Sequence, residues 1–296
     1  VIGLKKYSNK ESKYYEKKQY PIYIVSKGRW ENPMTAKLFI RDGVNFLILV
    51  EPQEYDNYCS TIPKKYIHKL PFSNLGVGSY PARNYAWEHS ISNGHKRHWV
   101  FDDNIGNTRM LKGGKKVLIN TVSAIEGIED FTDRYSNVGI SGFNYSNYVV
   151  GASCRKPFYM NVHVYSCMLI KNNMPYRWRM KYNEDIDLCL QVLDNDYCTI
   201  LVNQFMMDKT STVAKMKGGN QDELYKDNAH EKKILKARSL QEMWPHYVKI
   251  ITRYGRPHHQ VSWNKFFKHP LKRVKDIKID KTKSYNNLKS KVRNKK

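Results

Sequence analysis

Short apolar runs alternate with helix-like segments through the first third of the chain, and that alternation restricts the possible folds more than any other feature. Pro21-Ile22-Tyr23-Ile24-Val25 is rich in β-formers and stops at a small polar loop, Ser26-Lys27-Gly28-Arg29-Trp30. Residues 33–43 carry a helical pattern ending at Gly43, a residue suited to the left-handed position after a helix. Phe46-Leu47-Ile48-Leu49-Val50 is apolar throughout, as a strand covered on both faces requires, and Glu51-Pro52 ends it. A helical segment with Tyr55, Tyr58 and Cys59, a short strand near 67–70 and a helix over Ala82–Ile91 continue the order. Such repeats predict parallel β-α-β units in an α/β fold, a mixed but mainly parallel sheet flanked by helices. Ligands of these sheets bind beyond the carboxyl ends of the strands. Ser26–Trp30, Glu51 and residues 102–104 then share one rim.

His98-Trp99-Val100-Phe101 runs straight into Asp102-Asp103-Asn104. Two adjacent carboxylates repel each other and lose solvation, and a divalent cation with oxygen ligands, Mn²⁺ or Mg²⁺, relieves that repulsion. Asp-Asp-Asn also makes an ordinary turn at a strand end. Upstream, Gly76-Val77-Gly78-Ser79-Tyr80-Pro81-Ala82-Arg83-Asn84 leads into a helix. Its glycines permit close backbone approach, and the amides of the helix start, with Arg83, suit a phosphate. Further on, Glu184-Asp185-Ile186-Asp187 opens an amphipathic helix through Leu193. Acidic residues at a helix start complement its dipole, yet Asn183 alone would cap it, so three carboxylates exceed what capping needs. The Gly-rich basic segment Lys215-Met216-Lys217-Gly218-Gly219-Asn220 reads as a lid or as a plain solvent loop.

Charge points to the partner. The 296 residues hold 51 Lys+Arg against 27 Asp+Glu, a net +24. Residues 271–296 contribute +9 of it, so the body is basic as well, and a polyanionic partner follows. Arg155 and Lys156 are interleaved with Tyr145, Tyr148, Phe158 and Tyr159, a composition suited to stacking an unpaired base beside held phosphates or, for each ring singly, to filling a core. Arg177, Arg179 and His258 join Arg155, Lys156 and Tyr159 as candidate acceptor contacts; His258-His259 lacks the partners a zinc site needs. The expected organisation is a basic arm at 1–20, a main domain at 21–220, a helical extension at 221–270 and a basic tail at 271–296. Five cysteines without a CxxC, no secretory-signal core and no apolar run long enough to span a membrane give a cytoplasmic expectation. No obligate protein partner is implied.

Ile22–Trp30, Leu49–Tyr58, Gly76–Asn84 and Val100–Asn104 together resemble the N-terminal half of a GT-A-fold glycosyltransferase. Their order is similar to that of the TET-associated glycosyltransferases of phages, which modify oxidised pyrimidines in phage DNA; the glycosyltransferase-like domain of GREB-type proteins carries a related pattern. The resemblance covers about residues 20–220. It implies a UDP-sugar donor and a metal, Mn²⁺ or Mg²⁺, held by Asp102, Asp103 and Asn104, which stand as adjacent residues where the family has an Asp-x-Asp-type motif. Donor contacts would come from Ser26, Arg29, Glu51, Gly76, Gly78, Arg83, Asn84 and Asp102, with Lys217, Gly218 and Gly219 as the lid. Asp185 would be the general base, with Glu184 as the alternative or an acceptor contact, and the acceptor a hydroxylated or hydroxymethylated cytosine in DNA. Three other readings fit parts of the pattern: a GT-A enzyme acting on polysaccharide or protein, a non-catalytic DNA-binding domain of the same fold, and a two-metal nuclease.

Overall fold

A computed structural model of the chain describes residues 20–150, 154, 156–210, 218–219, 229–253, 255–275 and 277. The alternating runs fold as β1 (Ile22–Val25), α1 (Met34–Asp42), β2 (Leu47–Val50), α2 (Tyr55–Cys59), β3 (Ile67–Lys69), α3 (Tyr80–Ser92) and β4 (Arg97–Asp102). The chain continues through β5 (Ile105–Lys112), β6 (Lys115–Leu118), α4 (Thr121–Thr132), β7 (Val138–Tyr145), β8 (Phe158–Met160), β9 (Cys167–Lys171), α5 (Glu184–Leu193) and β10 (Cys198–Lys209). These strands build one ten-stranded sheet in the order β3-β2-β1-β4-β9-β7-β10-β5-β6, with β8 paired to β10. Strands β3, β2, β1 and β4 run parallel, as do β7 and β10, while β9 lies antiparallel between β4 and β7. This is the mixed α/β sheet that the alternation implied.

Side-chain alternation explains the two covered faces. Ile22, Ile24, Ile48, Val50, Trp99 and Phe101 face α1 and α4, packing on Leu38, Phe39, Ile125 and Ile128. The intervening Tyr23, Leu49 and Val100 face the other side, against Ala86 and Trp87 of α3 and Leu188 and Val192 of α5. A strand with period two and both faces apolar is stable only between two helical layers. Helix α1 ends as the sequence suggested, at Gly43 in the left-handed region with φ 75°. In the ladder Val25 stands beside both Leu49 and Asp102. Ser26, Glu51 and Asp102 therefore emerge on one rim.

Three segments differ from expectation. A β-like run over 162–170 becomes strand only from Cys167, because Asn161 and Ser166 both adopt left-handed backbone, each at φ 56°. Tertiary placement overrides β-propensity there, and His163 and Tyr165 are released from the ladder. The hairpin β5–β6 carries no strong alternation and turns at Gly113-Gly114; its pairing partner β10 supplies what its own sequence lacks. Asn183 does not cap α5 with its side chain but reaches Lys236 O at 2.7 Å, and Asp185 Oδ1 instead accepts from Ile186 N at 2.9 Å.

Beyond β10, α6 (Ala229–Met243) and the hairpin β11 (Val248–Arg253)–β12 (Arg256–Val261) pack against α5. Leu240, Val248 and Phe266 bury Ile186, Leu190 and Leu193, each buried side chain being worth about 1.5–3 kcal/mol. Asp187, fully buried, accepts from Arg179 at 3.0 Å, Trp244 Nε1 at 2.8 Å and Gln191 Nε2 at 2.9 Å. This anchors the start of α5. No helix among the described residues is long and apolar enough to cross a membrane.

Candidate active site

Asp102 is the hub of the rim. Its Oδ1 accepts from Arg83 Nη2 at 2.8 Å, and its Oδ2 accepts from Lys209 Nζ at 2.7 Å and Ser166 Oγ at 2.7 Å. The elements that deliver these groups are the end of β4, the second half of the first turn of α3, the end of β10 and the residue before β9. Burial works against the charge of Asp102, but Lys209 and Arg83 outweigh it and hold the carboxyl well below the usual carboxylate range. Lys209 is held charged in return, since Asp102 more than offsets its burial. The Lys209 ammonium also lies 5.4 Å from the centre of the Tyr145 ring.

The next two residues turn elsewhere. Asp103 is buried; its Oδ1 pairs with Arg29 Nη1 and its Oδ2 accepts from Ser26 Oγ at 2.7 Å. Burial, reinforced by Asp102, raises its pKa despite Arg29 and Ser26. Asn104 donates its amide to Thr210 O at 2.8 Å and stitches the β4 turn to the end of β10. The three expected metal ligands thus diverge. All four oxygens of Asp102 and Asp103 already accept protein donors. Two unit charges ~4 Å apart repel by about 4 kcal/mol at the effective dielectric of such a site, and a divalent ion would double that against each of Arg83 and Lys209. Among the described residues no three His, Cys, Asp or Glu side chains gather as metal ligands. Of the three expected ligands only Asn104 Oδ1 is a buried acceptor without a partner among the described residues, and one free amide oxygen beside two carboxylates already engaged by cations does not fit a resident divalent cation.

One guanidinium joins the hub to the start of α5. Arg83 Nε donates to Ser79 Oγ at 3.0 Å and lies 3.6 Å from Glu184 Oε1, which itself accepts from Ser79 Oγ at 3.1 Å. Burial raises the pKa of Glu184, and the neighbouring Asp185 adds to that rise against the pull of Arg83. Asp185 behaves oppositely. Its Oδ2 lies 3.0 Å from His163 Nε2, and although burial disfavours its charge, His163 with Lys236 and Arg83 hold its carboxyl well below the usual range. Two adjacent carboxylates therefore have divergent proton affinities, the pattern that separates acid–base roles.

Rings line the floor beside these groups. His163 stands edge-on to Tyr165 at 5.1 Å and stacks parallel on Trp263 at 6.0 Å. Tyr165 meets Tyr145 at 4.3 Å, and the exposed Tyr148 meets both, at 5.5 and 6.1 Å. The result is a continuous aromatic wall from the surface to Asp185.

On the other side of the hub a shallow cleft, open to solvent, is walled by Val25, Leu49, Leu70, Phe72, Pro81 and Ala82. Ser26, Lys27, Glu51, Gly76, Gly78 and Ser79 supply its polar edge. Lys27 Nζ pairs with Glu51 Oε1 at 3.2 Å across the mouth. Gly28 and Gly218 meet backbone to backbone there: a Cβ on Gly218 would sit 2.1 Å from Gly28 O, and Gly219 N donates to Lys27 O at 2.6 Å. Both glycines have positive φ, so the contact needs glycine twice over.

The remaining sequence candidates scatter. Asn84 pairs with the backbone of Trp178, donating at 2.7 Å and accepting at 3.0 Å, and so locks α3 rather than facing the cleft. Arg177 pairs with Glu88 and Arg179 with Asp187. Lys156, Tyr159 and His258 are exposed, whereas Arg155 and Lys217, with most of the arm and tail, lie outside the described residues. Sequence reading did not single out Lys209, Ser166, Ser79, Tyr165 or His163 as site residues. Lys209 had a usable signal, since it ends a strand on the same rim as Asp102; the others are brought in by turns that leave no periodic trace.

No curated protein matches the chain. A crystal structure from Desulfovibrio desulfuricans G20, described as a candidate nucleotide-diphospho-sugar transferase, is similar at 8% identity and a TM-score of 0.35, over 62% of this chain and 79% of that one. The sequence profile of the TET-Associated Glycosyltransferase family matches residues 20–219. With two thirds of its length inside that profile, the chain belongs to the TET-associated glycosyltransferase family and is a glycosyltransferase.

Proposed function

We propose that the chain transfers a sugar from a UDP-sugar onto a hydroxylated or hydroxymethylated cytosine in DNA, with Glu184 as the general base. The observation that carries this reading is the Arg83 guanidinium, which touches Asp102 on one side and Glu184 on the other. Through Ser79, which edges the cleft, it joins the cleft to a carboxylate whose proton affinity is raised, as a base working near neutral pH needs. The base moves from Asp185, favoured on the family pattern, to Glu184, because His163 occupies Asp185 and depresses its affinity for a proton. In the reaction Glu184 takes the proton of the acceptor hydroxyl. The hydroxyl oxygen bonds to the anomeric carbon, and the nucleoside diphosphate leaves with the bonding electrons. The apolar walls of the cleft suit the uracil ring, with Glu51 and Ser26 at its polar edge.

A net charge of +24 supports a DNA acceptor, and the wall of Tyr148, Tyr145 and Tyr165 offers stacking surface for an unpaired base next to the base catalyst. Metal dependence, which the family resemblance implied, is not part of the proposal, since the acidic pair does not fit a resident ion.

The test is transfer into DNA containing 5-hydroxymethylcytosine, with unmodified DNA as control and a panel of UDP-sugars as donors. Digestion to nucleosides followed by mass analysis should show a hexose or pentose increment on the modified cytidine alone. Donor turnover without any increment on modified DNA overturns the DNA acceptor and returns attention to polysaccharide or protein acceptors.

A further inference from the structure

The acidic pair at the end of β4 is the place where a divalent ion would be sought, and its surroundings are instead cationic. We propose that Lys209 and Arg83 supply the positive charge for the donor's diphosphate, so that the chain binds its nucleotide-sugar without a divalent metal. This inference rests on the donor reading of the cleft given above. It concerns what meets the phosphates there.

Donor capacity supports it. An ammonium carries three N–H groups and a guanidinium five. Lys209 spends bonds on Asp102 Oδ2 at 2.7 Å and Ser166 Oγ at 2.6 Å and has Tyr145 as a third partner, so what it offers a phosphate is charge. Arg83 spends Nη2 on Asp102 and Nε on Ser79, while its Nη1 is buried and finds no hydrogen-bond partner among the described residues. An unpaired buried guanidinium nitrogen is costly unless a ligand or water satisfies it. The Arg83 side chain is 8% exposed and is clamped over the Trp178 ring at 4.8 Å, so it cannot swing away to admit a metal without unpacking α3. Arg and Lys beside phosphate oxygens make charge-assisted bonds of the kind phosphate sites use.

Asp102 then has a role unlike a metal ligand's. Its two oxygens fix the directions of both cations and keep them charged at the sheet rim, where Arg83 also bonds Ser79 on the edge of the cleft. Asp103, through Arg29 and Ser26, fixes the loop after β1 in the same way. The acidic pair orients positive side chains; it does not recruit an ion.

Calorimetric titration of the full chain with a panel of nucleoside diphosphates, UDP first, tests this in chelator and then in excess Mn²⁺ or Mg²⁺. The expected result is one affinity, equal within about twofold in both buffers. Lys209→Met should weaken binding by about tenfold or more in both, and Lys209→Arg should recover most of the loss. Binding about tenfold tighter with metal, or an unchanged affinity in Lys209→Met, overturns the proposal. The comparison of buffers on the unmodified protein stands even where a variant fails to fold. Absence of binding to every nucleotide in both buffers overturns the donor reading itself, and this proposal with it, whereas metal-requiring binding overturns the proposal alone.

Discussion

Glu184 Oε1 approaches Arg83 Nε at 3.6 Å, near enough for attraction and too far for a hydrogen bond. Burial therefore prevails over the cation, and the carboxyl binds its proton more tightly than an ordinary glutamate. A general base must be ionised to work. Turnover should rise with pH through the raised pKa of Glu184, placing the acidic limb above the ordinary glutamate value of about 4.3. Glu184→Gln should lower kcat by about 10²–10⁴-fold with little change in donor KM. A pH–rate profile of sugar transfer checks both, and an unaltered kcat in the variant removes Glu184 from the base role.

Asp185 bears on that same limb. After burial, its negative charge does most to raise the proton affinity of Glu184. Asp185→Asn takes away that repulsion, so Glu184 should ionise at lower pH and the acidic limb should move down. His163 loses its partner in the same variant, so some loss of kcat is expected as well. The direction of the limb is the discriminating reading. If Asp185 were itself the base, the variant would abolish turnover at every pH instead of shifting its profile.

Displacement by a hydroxyl activated by one carboxylate forms the new bond on the face opposite the leaving diphosphate, and it inverts the anomeric centre. Starting from an α-linked UDP-sugar, the product on the modified cytosine should be β-linked. Proton coupling constants of the isolated nucleoside report the linkage directly. Retention would require a second nucleophile at the anomeric carbon and would contradict the single-base assignment.

Much of this site was legible in the chain. The end of β4 at Asp102, the helix start carrying Arg83 and the acidic start of α5 all sit where period-two and helical patterns stop, and pattern endings are what a sequence displays best. What those residues face was not legible. Asp102 and Asp103 look equivalent in sequence, yet β4 ends between them and the chain bends, so one meets Lys209 and Arg83 and the other Arg29 and Ser26. His163 was hidden for a different reason. It lies in a run of β-formers and reads as half of a strand until two left-handed residues, Asn161 and Ser166, bend the segment off the sheet. Neither is a glycine, so the usual marker of such a bend is missing.

The backbone contact between Gly28 and Gly218 holds Gly218 and Gly219 against the loop after β1 at the mouth of the cleft. Any side chain at 218 meets Gly28 O at 2.1 Å from its Cβ and must also adopt φ near 79°. Gly218→Val should push residues 218–219 off the loop after β1 while leaving the sheet intact. The expected outcome is a donor KM raised by about tenfold or more with a thermal midpoint within a few degrees of the parent. A midpoint that falls sharply with unchanged KM would make the contact a stability feature alone.

His98, fully buried between Trp87 and Tyr23, predicts how the fold responds to acid. Its Nδ1 and Asn172 Oδ1 lie 2.6 Å apart, so the neutral ring donates from Nδ1. Burial lowers its pKa from 6.5 to about 4, with Arg177 adding to the shift and Asn172 opposing it. Between those values the unfolded chain binds a proton that the folded chain refuses. Stability from this group is thus complete above the unfolded value, declines as pH falls through the window and is gone below about 4. The full swing is about 3 kcal/mol, with a maximal slope of ~1.4 kcal/mol per pH unit. His98→Phe keeps most of the packing against Trp87 but leaves Asn172 Oδ1 without its donor, so it should be less stable at pH 7 by about 1–3 kcal/mol. Its stability should also fall less steeply on acidification. Urea unfolding at several pH values between 4.5 and 7 measures both quantities. His259, also depressed to about 4 by burial, keeps part of the slope in the variant. A slope identical to that of the parent would mean that His98 takes up its proton without unfolding.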